Sequence, residues 1–158
     1  MYPAQGAGRV AAREKRVVLG AAQEVVVLAL ADGLSVTLPV QLARALLRPL
    51  VSEAGLSRVQ ETLREDGALS GDVWLKRRKQ AQAKLRGGDP LELAEIVRDG
   101  ARRERRLTAN RTNSKLSLSE KALCVKARQR LSGEIGLARG LDRAQVEAWI
   151  DEQLAPKG

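Results

Sequence analysis

Two side chains in this sequence are the best placed to do chemistry, Trp74 and Cys124. Trp74 is one of two tryptophans, and the basic residues 76–79 follow it closely. An indole flanked by Lys and Arg can wedge against base steps or stack on exposed bases, which indicates nucleic-acid binding. A core tryptophan is the alternative, because Ala81 and Leu85 would share its face of a helix. The residues alone leave both interpretations open.

Cys124 is the only cysteine, and the sequence contains no histidine. Without an imidazole there is no Ser–His or Cys–His couple and no His- or Cys-rich metal site. Cys124 recurs with Ala127 and Leu131 at helical spacing, which predicts a small core residue. Lys121 and Lys126 could lower its pKa, but without histidine a catalytic role is not expected. We therefore expect no enzymatic activity, no metal and no cofactor.

Charge is distributed unevenly along the 158 residues, whose net charge is +9 and whose isoelectric point is about 10.4. Residues 71–88 hold six basic residues and one acidic residue, and residues 108–139 hold seven and two. The first 50 residues carry only +3. The positive field therefore belongs to the second half and predicts a polyanionic partner.

Composition limits the class of protein further. The 44% hydrophobic content is typical of a folded domain, and the lack of phenylalanine predicts an aliphatic core. No apolar run approaches the ~20 residues of a membrane span, and no signal peptide is recognisable. We expect a soluble cytoplasmic protein with no membrane contact, built as one ordinary domain or two small ones.

The elements that must position these residues change type near Pro39. Residues 25–30 and 34–38 flank an Asp-Gly turn and predict a β-hairpin, with further strands around Val10 and residues 17–19. Helix signals follow: possible starts at Ser52, at Ser70 or Asp72, at Asp89, at Ser117 with Glu120 as a capping box, and at Asp142. Residues 108–115 are polar and predict a loop.

Several blocks of sequence occur in the order in which one known family shows them. Tyr2 and Pro3 stand near the start of the chain, and Pro39 follows the last predicted strand. A tryptophan with basic residues occupies residues 73–79. Residues 85–99 are the most specific block, and 116–121 and 127–131 continue in register. Each block alone is weak, but together they resemble the CarD family of bacterial transcription regulators, also called the CdnL type.

The resemblance implies an α+β protein of two domains. Residues 1–48 would form a small Tudor-like β-barrel that binds the β subunit of RNA polymerase. Residues 49–158 would form a helical bundle that contacts promoter DNA at the upstream edge of the melted bubble. Such a protein stabilises the open complex, and we expect it to act as a monomer.

The same resemblance implies a set of DNA-binding residues. Trp74 would wedge at the junction of double-stranded and single-stranded DNA. Lys76, Arg77 and Lys79 would hold nearby phosphates, and Lys121 would add a contact from the long helix that is predicted to begin at Ser117. Phosphate contacts of this kind position a protein without reading sequence.

On the polymerase side, Arg16 aligns with a basic residue that the family uses, and Val36, Thr37 and Pro39 belong to the matching last strand. The hairpin 25–38 would offer an edge for pairing with a strand of the partner. Thr37 stands where many relatives carry a basic polymerase contact, so we expect that contact to be lost.

The sequence departs from the family pattern at other places. Met1 stands at the final position of the usual first strand, so the barrel would lack that strand. Arg78 stands where an aromatic residue is common, and Gly100 replaces a large apolar residue. Residues 107–116 are longer than the family's loop.

Two other functions fit the sequence. The chain could be a general basic DNA- or RNA-binding protein in which the β half has only a packing role. Alternatively, the protein could bind polymerase without touching the fork, since the transcription–repair coupling factor shares the polymerase-binding barrel. Retention of polymerase tests the first alternative, and dependence on Trp74 at fork DNA tests the second.

Overall fold

The N-terminal part of the chain forms an antiparallel sheet in the computed structural model, which describes residues 1–110 and 116–156. Its strands are β1 (Gly8–Val18), β2 (Ala21–Leu30) and β3 (Ser35–Pro39), in the order β1-β2-β3. The hairpin that the sequence predicts between residues 25 and 38 is confirmed, with Ala29 opposite Ser35. Val10 and Val18, which the sequence assigns to further strands, belong to the single strand β1, and Leu19 lies outside it in the following turn.

Two tight turns connect the strands. Leu19 and Gly20 join β1 to β2 with φ of 53° and 79°, so both lie in the left-handed region that a two-residue hairpin requires. Between β2 and β3, Gly33 has φ of 90°, and the Asp32 carboxylate accepts a hydrogen bond from the Leu34 N–H. The Asp-Gly pair therefore makes the turn that its composition predicts.

The described residues form a three-stranded sheet, and the Tudor-like β-barrel that the resemblance implies is not shown. Three strands of 11, 10 and 5 residues leave β1 and β3 as the two edges. Barrel closure requires more strands, with matched tilt and register. The sheet instead buries one face against helix α1 (Val40–Leu46), in a small cluster of Val26, Leu28, Leu30, Leu38 and Ala43.

Five further helices follow: α2 (Glu53–Arg64), α3 (Trp74–Gly87), α4 (Pro90–Ala109), α5 (Leu118–Arg139) and α6 (Arg143–Leu154). Their starts at Ser52, Asp89, Ser117 and Asp142 are confirmed, because each side chain accepts a hydrogen bond from a backbone N–H of the first turn. The fold is thus α+β.

Two boundaries differ from those that the sequence predicts. Val73 occupies the N-cap of α3 without a side-chain hydrogen bond, and the Ser70 hydroxyl accepts one from the Asp72 N–H instead. Helix α4 continues through Thr108 and Ala109, because its intrahelical hydrogen bonds outweigh the turn preference of polar residues. The predicted loop residues 111–115 lie outside the described part of the chain.

The helices share an aliphatic core, as the absence of phenylalanine predicts. Buried members include Leu56 and Val59 of α2, Leu93 of α4 and Leu131 of α5. Trp149 of α6 is partly buried against this core, as the helical spacing of its neighbours indicates.

A polar network joins the sheet side to the helices. The Glu134 carboxylate on α5 is fully buried and accepts hydrogen bonds from the Arg48 guanidinium, at 2.8 Å for Nη2–Oε2, and from the Val51 N–H at 2.9 Å. Arg48 also donates to the Gly88 carbonyl at 2.7 Å. Arg130 of α5 donates to the carbonyls of Pro3, Ala4 and Leu85. These contacts fix the sheet relative to α3 and α5.

Candidate nucleic-acid interface

Trp74 is the first residue of α3, and its side chain lies at the edge of the helical core. The residue is half-buried, whereas Leu85 on the same helix is buried in the core and Ala81 packs against it. Trp74 lines a shallow cleft of about 90 Å³ between α3, α4 and α5. The indole is therefore only partly buried, and the rest of it is accessible to a partner.

Small residues and a thiol form the inner wall of this cleft. Gly100 of α4 and Cys124 of α5 both line it. A β-carbon at Gly100 would collide with the Cys124 Sγ atom, so the glycine makes room for the thiol. Packing against Cys124 therefore explains why glycine, and not a large apolar residue, stands at position 100.

The chemistry of Cys124 differs from one sequence expectation. Burial, and after it the negative charges of Glu120, Glu104 and Asp99, raises the pKa of its thiol from 9.0 to about 11. Lys121 and Lys126 thus do not produce the lowered pKa that their proximity in sequence suggested, because both are exposed. Cys124 packs as a small residue at the margin of the core, as the helical spacing predicts.

The basic residues after Trp74 do not share one environment. Lys76, Arg78 and Lys79 are exposed. Lys76 Nζ lies 3.4 Å from Asp72 Oδ1, and within the described chain Arg78 and Lys79 have no ion-pair partner. Arg77 is different, because only 20% of its side chain is exposed and its Nη1 donates to Glu120 Oε1 at 2.7 Å.

Glu120 has a role other than the one its spacing predicts. The Ser117 hydroxyl accepts from the Glu120 N–H, which confirms the cap. The Glu120 carboxylate, however, faces Arg77 and Arg103 and does not return to the Ser117 backbone, because two guanidinium groups attract it more strongly than one N–H. A complete capping box forms at Asp142 instead. No local pattern in the sequence indicates the contact with Arg103, because Arg103 lies on a different helix.

The contact between Arg77 and Glu120 brings the first turns of α3 and α5 to the same end of the bundle. Lys121, the next residue on α5, is exposed there. Large apolar side chains are also exposed at this end: Val73 at 72%, Leu75 at 66% and Leu118 at 88%. Sequence reasoning missed these three, because apolar residues at helix starts are ordinarily expected to be buried.

The residues assigned to polymerase binding lie on two different edges of the sheet. Arg16 is exposed on β1, opposite Gln23 of β2, and its Nη2 lies 2.9 Å from Glu14 Oε2. Val36, Thr37 and Pro39 lie on β3 with β2 between them and β1. Thr37 is exposed, and Val36 packs against the sheet cluster. The structure thus does not bring Arg16 next to the β3 edge.

Membrane-spanning helices and clusters of metal-binding side chains are both absent from the part of the chain that the structure describes. None of its helices is both long enough and apolar enough to span a membrane. Nor do the described residues contain a group of three or more Cys, Asp or Glu side chains suited to hold a metal ion.

Comparison with protein families covers both parts of the chain. A family model described as the CarD-like/TRCF RID domain matches residues 1–51. A second, described as the C-terminal domain of CarD, matches residues 58–151, which is more than half of the chain. CarD-like domains indicate a transcription factor that interacts with RNA polymerase, and members of the family are transcription factors and not typically enzymes. The fold, the order of its two parts and these matches together show that the chain belongs to the CarD family.

Proposed function

We propose that this protein is a transcription regulator that binds the β subunit of RNA polymerase and the upstream edge of the promoter bubble, and so stabilises the open complex. The observation that carries the proposal is a partly exposed indole in the first turn of α3, beside exposed lysines. Residues 1–48 are the polymerase-interacting unit and residues 49–158 the DNA-binding unit. The protein acts as a monomer in the cytoplasm, where bacterial polymerase works.

The DNA-binding part of the proposal rests on the end of the bundle at which α3 and α5 begin. Lys76, Lys79 and Lys121 are exposed there and can contact phosphates on either side of the fork. Trp74 then lies against the last base pair, where its indole replaces the stacking that the pair loses on melting. Reclosing the duplex would have to displace the indole, which lengthens the life of the open complex.

The polymerase part of the proposal rests on the sheet. β3 is an edge strand, and its unpaired backbone groups can extend a sheet of the partner. Thr37 is exposed on this strand but carries no charge, so the interaction there depends on the backbone and on Val36 and Pro39. Arg16 adds a charge on the opposite edge.

Replacement of Trp74 by alanine tests the DNA contact. Because Trp74 is not a member of the buried core, we expect Trp74→Ala to leave the thermal melting temperature within a few degrees of wild type while the open complex decays faster. Loss of a stacked base–aromatic contact is worth about 1–3 kcal/mol, or roughly 5- to 150-fold in lifetime. Open-complex decay after competitor addition and thermal melting are measured on the same protein.

Trp149→Ala is the matched control, since Trp149 packs against the core. It should lower the melting temperature, and any protein that remains folded should stabilise the open complex normally. A large drop in melting temperature for Trp74→Ala, with no separable defect in the open complex, would mean that the indole is a core residue.

Replacement of Arg16 by glutamate tests the polymerase contact. Reversing a charge at a polar interface slows association and weakens binding, so Arg16→Glu should reduce co-purification with polymerase. Arg44→Glu makes the same charge change on α1 and serves as the control. A general basic nucleic-acid-binding protein would retain no polymerase in either form, and a polymerase-binding module without fork contact would respond to Arg16→Glu but not to Trp74→Ala.

A further inference from the structure

Arg77 is held in place by contacts within the protein, unlike its basic neighbours. Its Nη1 donates to Glu120 Oε1 at 2.7 Å, and its Nε donates to the Asp72 carbonyl at 3.2 Å. Its Cζ atom lies 5.3 Å from the centre of the Trp74 ring, within the range of a cation–π contact. A guanidinium engaged on all these sides has little freedom to reach a phosphate.

Glu120 extends these contacts to a third helix. Only 15% of its side chain is exposed, and its Oε1 also lies 3.6 Å from the Nε of Arg103 on α4. Arg103 in turn donates to the Ser70 carbonyl at 2.9 Å, in the connection that precedes α3. Ser70, Trp74, Arg77, Glu120 and Arg103 are therefore linked by continuous polar and ring contacts.

The start of α3 has little local support of its own. No side chain caps Val73, and the first turn contains no acidic residue. Helix ends without such groups fray unless tertiary contacts hold them. The bond from Arg77 to the Asp72 carbonyl, together with the bond from Arg103 to the Ser70 carbonyl, supplies those contacts in the connection just before Val73.

We infer that Arg77 is a positioning residue, anchored by Glu120, that sets the orientation of the Trp74 ring, and that it is not a phosphate contact. The inference rests on the proposed function, because it concerns how Trp74 is presented to the fork. It divides the basic run by role: Lys76 and Lys79 face solvent and contact DNA, and Arg77 faces inward.

Replacement of Glu120 distinguishes the two roles of Arg77, because they predict opposite results. If Arg77 positions Trp74, Glu120→Gln replaces its carboxylate anchor by a more weakly accepting amide, and the open complex should decay about threefold faster. If Arg77 binds phosphate, the same change frees the guanidinium and removes a nearby negative charge, so the open complex should last longer. An unchanged or longer lifetime would overturn the inference.

The salt dependence of DNA binding gives a second test. Lys79→Gln should reduce the steepness of the log–log salt slope by about 0.9, the value for one phosphate contact on duplex DNA. Arg77→Gln should leave the slope unchanged while it shortens the open-complex lifetime about threefold, like Glu120→Gln. A loss of slope for Arg77→Gln equal to that for Lys79→Gln would show a phosphate contact and contradict the inference.

Trp74 fluorescence supplies a readout that a general loss of stability would not produce. In a Trp149→Phe background, Trp74 is the only tryptophan. At a temperature where circular dichroism shows each variant folded, Arg77→Gln and Glu120→Gln should shift the emission to the red and increase quenching by acrylamide. Lys79→Gln should do neither. Spectra identical to the parent for the first two variants would overturn the inference.

Failure of the inference and failure of the proposed function give different patterns. If Trp74→Ala leaves open-complex lifetime unchanged, the fork contact itself is wrong. If Trp74→Ala shortens the lifetime but Glu120→Gln does not, the fork contact stands and the positioning role of Arg77 is wrong. All lifetimes are measured with the full chain, polymerase holoenzyme and promoter DNA.

Discussion

At the scale of single residues, neighbours in the sequence take different roles because they face different surroundings. Lys79 and Arg77 lie two positions apart on α3 and therefore point to different sides of the helix. Lys79 faces solvent, whereas Arg77 meets Glu120 and the Trp74 ring. The charge of the segment is evident from its composition, but the direction of each charge is set by helix geometry and by the neighbouring helices.

Cys124 provides a prediction at this scale. Its thiol pKa is raised to about 11 in the fold, compared with 9.0, so the folded protein favours the protonated thiol. The stability that this contributes is fully present below pH 9.0 and is lost as the pH rises towards about 11. Urea unfolding of wild type between pH 8 and 11 should therefore weaken more steeply than that of Cys124→Ala. Parallel pH profiles would contradict the raised pKa.

At the scale of elements, four helix starts follow local capping rules, whereas the starts of α1 and α3 have no side-chain cap. Side chains at Ser52, Asp89, Ser117 and Asp142 accept hydrogen bonds that the helix itself leaves unmade. These partners are close in sequence, so they are predictable from sequence. The partners of α3 lie on α4 and α5, and no local pattern reveals them.

The β1–β2 turn gives a prediction for an element. Leu19 has φ of 53° and is fully exposed, so it bears left-handed strain without any gain from burial. Leu19→Asn creates the Asn-Gly pair that this hairpin turn prefers and should raise the free energy of unfolding by about 1 kcal/mol. Urea denaturation measures the change. Leu34→Asn, in the other turn, is the control and should give no such gain, because Leu34 has no positive φ.

At the scale of the whole molecule, buried polar contacts set how the sheet lies on the helices. Glu134 is an acidic residue within the basic block of residues 108–139. Its carboxylate is nevertheless completely buried between Arg48 and the Val51 N–H. These contacts hold the segment after α1 against α5 and against Gly88, the C-cap of α3.

Glu134→Gln tests this contact. Removing one partner of a buried ion pair leaves the other charge uncompensated, so the free energy of unfolding should fall by about 3 kcal/mol. Glu14→Gln breaks the exposed pair with Arg16 and should cost less than about 0.5 kcal/mol. The double variant Arg48→Gln/Glu134→Gln should lose less than the sum of its single variants, since both report one interaction. Additive losses in urea denaturation would exclude the coupling.

The sequence by itself determined the features that depend on local chemistry. The β-hairpin, the helix starts, the aliphatic core, the absence of histidine chemistry and the location of positive charge all follow from residues close together in the chain. The ordered blocks, and residues 85–99 above all, pointed to the family that the comparisons confirm. These features can be predicted from the sequence because turns, caps and hydrophobic spacing act over a few residues.

Only the tertiary structure decided the features that join distant residues. It shows a three-stranded sheet with two edges and not the expected barrel, and it places Arg16 on the edge away from β3. In the tertiary structure the Glu120 carboxylate contacts Arg77 and Arg103 and does not complete a capping box. Burial in the same fold raises the pKa of Cys124. The physical reason is that burial and ion pairing depend on which elements pack together, and a single sequence does not state those contacts.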